Sequence, residues 1–90
     1  DEEAAVLTLA SRAHQRLGDG AAAAFAAGGA TMAAERSGDS RVLAEALVRL
    51  GICLEPEHPD TAVEHYRRAL ELYRTLGDPR GQSHCHNNLG

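Results

Sequence analysis

The sequence predicts an all-α fold assembled from a repeated two-helix unit, on three observations. Apolar residues make up 43% of the chain but aromatic ones only 3%, so a core must come from alanine, leucine and valine. Such small side chains let helix backbones approach closely, and the shortage of β-branched residues argues against a sheet. Gly38-Asp39-Ser40-Arg41 recurs as Gly77-Asp78-Pro79-Arg80, and Leu50-Gly51 recurs at the same displacement as Leu89-Gly90. Ala23 with Ala62 and Ala30 with Ala69 keep that register, and a fixed period of this size is the mark of a stacked array. Between the recurring turns, apolar residues return at helical rather than alternating spacing.

Taken in order, the first helix is expected over about residues 3–17, followed by a turn at Gly18-Asp19-Gly20. A second helix is expected over about 21–37. Gly28 and Gly29 inside it each cost about 1 kcal/mol against alanine, which implies a smooth surface crossed closely by a neighbouring helix. The third helix, about 41–54, carries Val42, Ala46, Leu50 and Cys53 on one stripe, with Leu43, Leu47 and Leu54 beside it. Asp39 or Ser40 supplies the side-chain oxygen for its free N–H groups. Pro56 and Pro59 make the next turn. A fourth helix runs from about 60 to 76, with Ala62, Val63, Tyr66, Ala69, Leu70 and Tyr73 apolar. Its start has two readings, a capping box from Thr61 or an earlier start with Pro59 in the first turn. Gly77 ends this helix in a left-handed conformation, Asp78 caps the fifth, and Pro79 is its first residue. The units are then about 3–38 and 39–77, with the first helix of a third over 78–90, and the five helices are expected to belong to a longer array.

At this point the residues resemble the tetratricopeptide repeat, in a longer form of roughly 40 residues per unit. Leu47 followed by Leu50-Gly51 resembles that family's first helix, and Ala62, Tyr66 and Ala69 resemble the small–aromatic–small pattern of its second. His86-Asn87-Asn88-Leu89-Gly90 is similar to the opening of a further unit. The first unit departs from the pattern: Ala10 and Ser11 stand where Leu-Gly is expected, and Phe25 is out of step with Tyr66. The resemblance implies a right-handed α-solenoid of antiparallel hairpins, about two and a half repeats, that binds a peptide or protein partner on its concave face. It also implies that Gly51 and Ala62 sit where a hairpin's helices cross, and Ala69 where the next unit packs. Regulatory or signalling proteins of GC-rich bacteria are the implied setting. The arginine-only basic residues, nine with no lysine, fit such a source.

The groove residues are those of each first helix that the apolar stripe leaves over. They are Thr8, Arg12 and Gln15; then Glu45, Val48, Arg49 and Ile52; then His84, Asn87 and Asn88. The resemblance gives Asn88 a further role, donating to a bound peptide's backbone from the position just before Leu-Gly; the second unit has Arg49 there.

Other functions find little support. A net charge of −4 provides no electrostatic footprint for nucleic acid, disfavours a helix-turn-helix DNA reader and does not suit anionic membranes. No apolar run approaches the roughly 20 residues that span a bilayer, and no secretory leader is visible, so cytoplasm is the expected compartment. Cys53 and Cys85 are too few for a disulfide framework and are expected to be reduced and structural. His84 and His86 are two apart, about 200° around a helix, and so do not face one metal ion together. No catalytic residues, cofactor or metal are expected. A rival expectation is self-association through exposed repeat ends, with Cys85 and Leu89 as the uncovered face of the last helix.

Overall fold

The computed structural model describes residues 2–16, 18 and 20–89, with the side chains of Glu2, Ala4, Ala5, His14 and Gln15 left outside the description. The expected helix end at Leu17, turn residue Asp19, groove side chain Gln15 and terminal Gly90 therefore lie outside the described residues. Within them are five helices and no strand: α1 (Glu2–Arg16), α2 (Gly20–Ser37), α3 (Ser40–Leu54), α4 (Pro59–Leu76) and α5 (Pro79–Leu89). The displacement that takes Gly38-Asp39 onto Gly77-Asp78 also takes both ends of α2 onto those of α4, and the start of α3 onto that of α5.

The helix ends follow from local chemistry. Asp39 accepts a bond from the Val42 N–H at 3.2 Å and so caps α3. Leu54 accepts from His58 at 2.7 Å as the chain turns through Pro56. Of the two readings for α4, the earlier start holds: Pro59 is in the first turn, and Thr61 is exposed inside the helix. Gly77 closes α4 at φ 67°, ψ 38°, a conformation that only glycine adopts without penalty. Asp78 then accepts from the Gly81 N–H at 3.1 Å and caps α5.

Consecutive helices pack on one another, and α1 also meets α3 directly. The interior is made of small residues in the first half and larger ones in the second. Along α2 the buried apolar side chains are all alanine: Ala23, Ala26, Ala27, Ala30, Ala33 and Ala34. Ser11, fully buried, stitches the first three helices together: its hydroxyl donates to the Ala23 carbonyl at 2.8 Å and lies 3.7 Å from the Cys53 thiol. Around α3–α5 the core gathers Ala44, Leu47, Val48, Ala62, Tyr66, Ala69, Leu70, Tyr73 and Cys85. An ion pair spans each junction between units, Arg68–Glu35 at 3.1 Å between the first and second and Arg41–Asp78 at 2.6 Å between the second and third. Exposed pairs of this kind contribute at most about 1 kcal/mol each, so packing carries the fold.

Gly51 is where the third and fourth helices cross: a Cβ there would lie 2.6 Å from the Tyr66 ring. Both cysteines are free, Cys85 buried and Cys53 half-buried. Three expectations need correction. The α3 stripe is rotated from the expected one, burying Ala44, Ala46, Leu47, Val48 and Gly51 while Val42, Leu50 and Cys53 are only half-covered. Cys85 and Leu89 are not an open end, because Cys85 is fully buried and Leu89 packs against the core; α5 turns its apolar side inward onto α4. Of the two mid-helix glycines, only Gly29 meets a neighbour, the Leu7 side chain at 3.2 Å from where a Cβ would sit, and Gly28 faces open space.

The two buried tyrosines set an alkaline limit on the fold. Burial raises the Tyr73 phenol to about 12, helped by the charge of Glu45. Tyr66 is raised too, by burial and then by the 2.9 Å bond its hydroxyl donates to Glu55. An unfolded tyrosine ionises near 10, so above that pH the unfolded chain releases protons that the folded chain retains. Their stabilisation is complete below about pH 10 and is lost as pH rises toward 12. Thermal melts from pH 8 to 11.5 should show the midpoint falling steeply beyond pH 10, and less steeply in Tyr73→Phe. A midpoint indifferent to pH would show the phenols to be solvated.

Candidate functional site

A row of connected hollows runs across α1, α3 and α5. The central one, about 280 Å³, is lined by Arg12, Glu45, Val48, Arg49, Tyr73, Asp78, Arg80, Gly81 and His84. Arg12 and Glu45 also border a shallower hollow with Thr8, Leu9 and Val42. Arg80 and His84 continue on the other side to Ser83 and Asn87. Shared residues make the three hollows one groove from the first helix to the fifth.

Helix geometry explains why these side chains meet. Glu45, Val48 and Arg49 occupy adjacent turns of one side of α3, as Arg80 and His84 do on α5, and residues three or four apart share a face. Arg12 reaches the same space from α1 because α1 and α3 lie side by side. Gly81 lets α5 settle onto the Tyr73 ring, which closes the floor.

Electrostatically, the groove concentrates positive charge in an acidic chain. Arg12, Arg49 and Arg80 come from three different helices, with His84 beside them. Arg49 is half-buried; burial lowers its pKa, and the nearby positive charge of Arg12 acts in the same direction. Of the two carboxylates present, Asp78 is occupied by Arg41 and by the amide of Gly81. Those bonds, the backbone one first, hold its pKa below the usual carboxylate range. Glu45, on the outer side of α3, is the other carboxylate among the described residues of the lining.

Of the ten side chains expected in the groove, the structure gathers Arg12, Glu45, Val48, Arg49 and His84 in the central hollow and Thr8 and Asn87 at its two extensions. Two differ in kind from expectation. Val48 is 4% exposed and forms floor rather than an open contact, because the α3 core stripe includes it. Ile52, half-buried, packs against the core and is not among the described residues that line these three hollows. Asn88 donates to the His84 carbonyl of its own helix at 3.0 Å. Tyr73, Asp78, Arg80 and Gly81 lie outside the sequence expectation: Tyr73 comes from α4, Asp78 from the turn before α5, and Arg80 and Gly81 from the first turn of α5. The recurrent Gly-Asp turn is the available signal: it places Asp78 and Arg80 at the joint between two units.

No group of three His, Cys, Asp or Glu side chains among the described residues is placed to hold a metal ion. No described helix is long and apolar enough to cross a membrane. What the arrangement provides is an open, elongated, arginine-bearing surface with an apolar floor. Compared with models of known protein families, with curated proteins and with solved structures, the chain matches none.

Proposed function

We propose that this chain is a segment of a right-handed α-solenoid of the tetratricopeptide type, and that it binds an extended, acidic segment of a protein partner along the α1–α3–α5 groove. It serves a larger bacterial regulatory or signalling protein as a docking scaffold and performs no catalysis of its own. The observation that carries the reading is the convergence of Arg12, Arg49 and Arg80 from three successive first helices on one continuous groove. Cations brought to one open groove from three helices suit an extended anionic ligand, because a guanidinium offers a forked donor to a carboxylate. The apolar floor of Val48 and Tyr73 adds contact for side chains between the acids. The constant displacement of α2 onto α4 and the direct packing of α1 beside α3 support the stacked-hairpin geometry this requires.

The test is fluorescence anisotropy with a labelled decapeptide of alternating glutamate and leucine. Binding should weaken as salt rises, and Arg12→Glu with Arg49→Glu should lower affinity at least tenfold, about 1.4 kcal/mol, with unchanged helicity. Arg49→Ala alone should lower it by a smaller factor. A decapeptide of alternating arginine and leucine that bound as well, or affinity indifferent to both substitutions, would remove the groove from consideration.

A further inference from the structure

We infer that two copies of this chain pair through the outer face of α2, about a two-fold axis beside Gly28. The two second helices differ in what they show to solvent. The outward positions of α4 carry Asp60, Glu64, Arg67 and Glu71, all exposed and charged. The equivalent positions one unit earlier, on α2, are Ala21, Phe25, Gly28 and Met32. Phe25 is 86% exposed and Met32 62%. One unit thus has a solvated outer face and the other an apolar one at the same places. From residue 20 to 34 only Thr31 is polar, and its hydroxyl is spent on the Ala27 carbonyl at 2.9 Å. A helix that is apolar all round belongs in an interior, and this one is covered by its own chain on one side only.

The face also extends onto α1. Glu3 and Arg36 form an ion pair between the start of α1 and the end of α2. One turn inward from that pair on each helix stand Val6, 59% exposed, and Met32. Gly28 then acquires a reason. Gly29 is accounted for by Leu7, but a Cβ at Gly28 would meet nothing within 4 Å. A glycine inside a helix weakens it, so its use at 28 points to a backbone that approaches from outside the chain.

A second copy fits this face better than another occupant, because the face is complementary to itself. The spacing is large–glycine–large, Phe25, Gly28, Met32. When two such helices run antiparallel and cross at the glycines, Phe25 of each lies against Met32 of the other, a sulfur–aromatic contact. The same pairing sets Glu35, half-exposed beside Arg68, and Arg36 against the N-terminal end of the other copy's α2, where the carboxylate is favoured and the guanidinium is not, so that the two offset. No charge is brought opposite a like charge, since the residues facing Glu35 and Arg36 are small uncharged ones of the first turn. Phe25, Met32, Val6 and the small residues between them offer on the order of 500 Å² per copy, or about 1,000 Å² in all, the lower bound for a specific interface. At that lower bound the pair is a reversible one that separates on dilution. It leaves the arginine groove open and does not depend on the peptide-binding reading.

Sedimentation equilibrium of the chain from about 1 to 500 µM tests it over the range in which a small, reversible interface dissociates. The average mass should rise from 9.5 kDa toward twice that value and stop there. Phe25→Glu with Met32→Glu installs the residues that α4 already carries as Glu64 and Glu71, so the fold tolerates them, and this variant should stay at single-chain mass throughout. Gly28→Leu, which meets no obstacle within its own chain, should weaken pairing at least tenfold. A parent chain that remained single at the highest concentration would overturn the proposal. So would association unchanged by both variants, or assemblies that grew past two copies.

Discussion

Ala69→Glu is expected to abolish the cooperative unfolding transition at room temperature, leaving a chain with little fixed helix. Ala69 is completely buried in the core that α3, α4 and α5 share. Among the described residues every buried side-chain nitrogen or oxygen has a hydrogen-bond partner, and a glutamate here would have none. An unpaired carboxylate in such a place costs several kcal/mol, whether it remains charged or takes up a proton. Its extra atoms must also be accommodated where the backbones of neighbouring helices come close. A domain of this length is stable by only about 5–13 kcal/mol, so one substitution removes most of the margin. Ala69→Ser separates charge from size: its hydroxyl can turn back to a carbonyl one turn earlier, as Thr31 does to Ala27, and the expected loss is about 1 kcal/mol. Urea melts followed by circular dichroism check both. Superimposable curves for parent and Ala69→Glu would mean that the position is not interior.

How far the sequence reveals this arrangement depends on which physical signal each element carries. The ends of α3, α4 and α5 are legible because specific chemistry stands there: the Asp39 carboxylate, the left-handed Gly77, the Asp78 cap before Pro79. Gly51 is legible as a crossing point through the resemblance, while the Tyr66 ring that it meets there comes from the structure alone. α2 resists because a run of alanines has no sided pattern; any of its faces packs against a neighbour equally well. What resolves it is the constant displacement between units, which aligns Ala27, and not Phe25, with Tyr66 and sends Phe25 outward. Val48 reads as a groove residue when the α3 stripe is placed about one position from its true centre, although a valine among charged neighbours is itself a sign of burial. The groove's own floor is hidden for a different reason. Tyr73 and Gly81 meet across a turn between two units, and a reading that takes one helix at a time does not bring them together.

That contact carries the second large effect. Gly81→Ala should loosen α5 and close the groove to peptide, against the simple expectation that alanine strengthens a helix. In the interior of an isolated helix the exchange is favourable by about 1 kcal/mol. Here the new Cβ would overlap the Tyr73 ring, meeting not only its edge but Cγ, the ring carbon bonded to the side chain's Cβ. A ring clashing at that carbon has no small rotation that relieves it, and Tyr73, 5% exposed, has no solvent to move into. Overpacking of this kind costs about 1–3 kcal/mol or more, so it outweighs the gain in propensity. The strain falls on α5, which is held mainly by α4 and yields before α3 or α4 does. Amide hydrogen exchange should therefore quicken along residues 79–89 well before the other helices, and the acidic decapeptide should lose affinity because Arg80 and His84 leave the groove with α5. Gly28→Ala, with nothing within 4 Å of its Cβ, is the control at a dilution where the chain is unpaired, and there it should melt at or above the parent. If Gly81→Ala also melted above the parent and kept its peptide affinity, the Tyr73 ring would not be the wall against which α5 is seated.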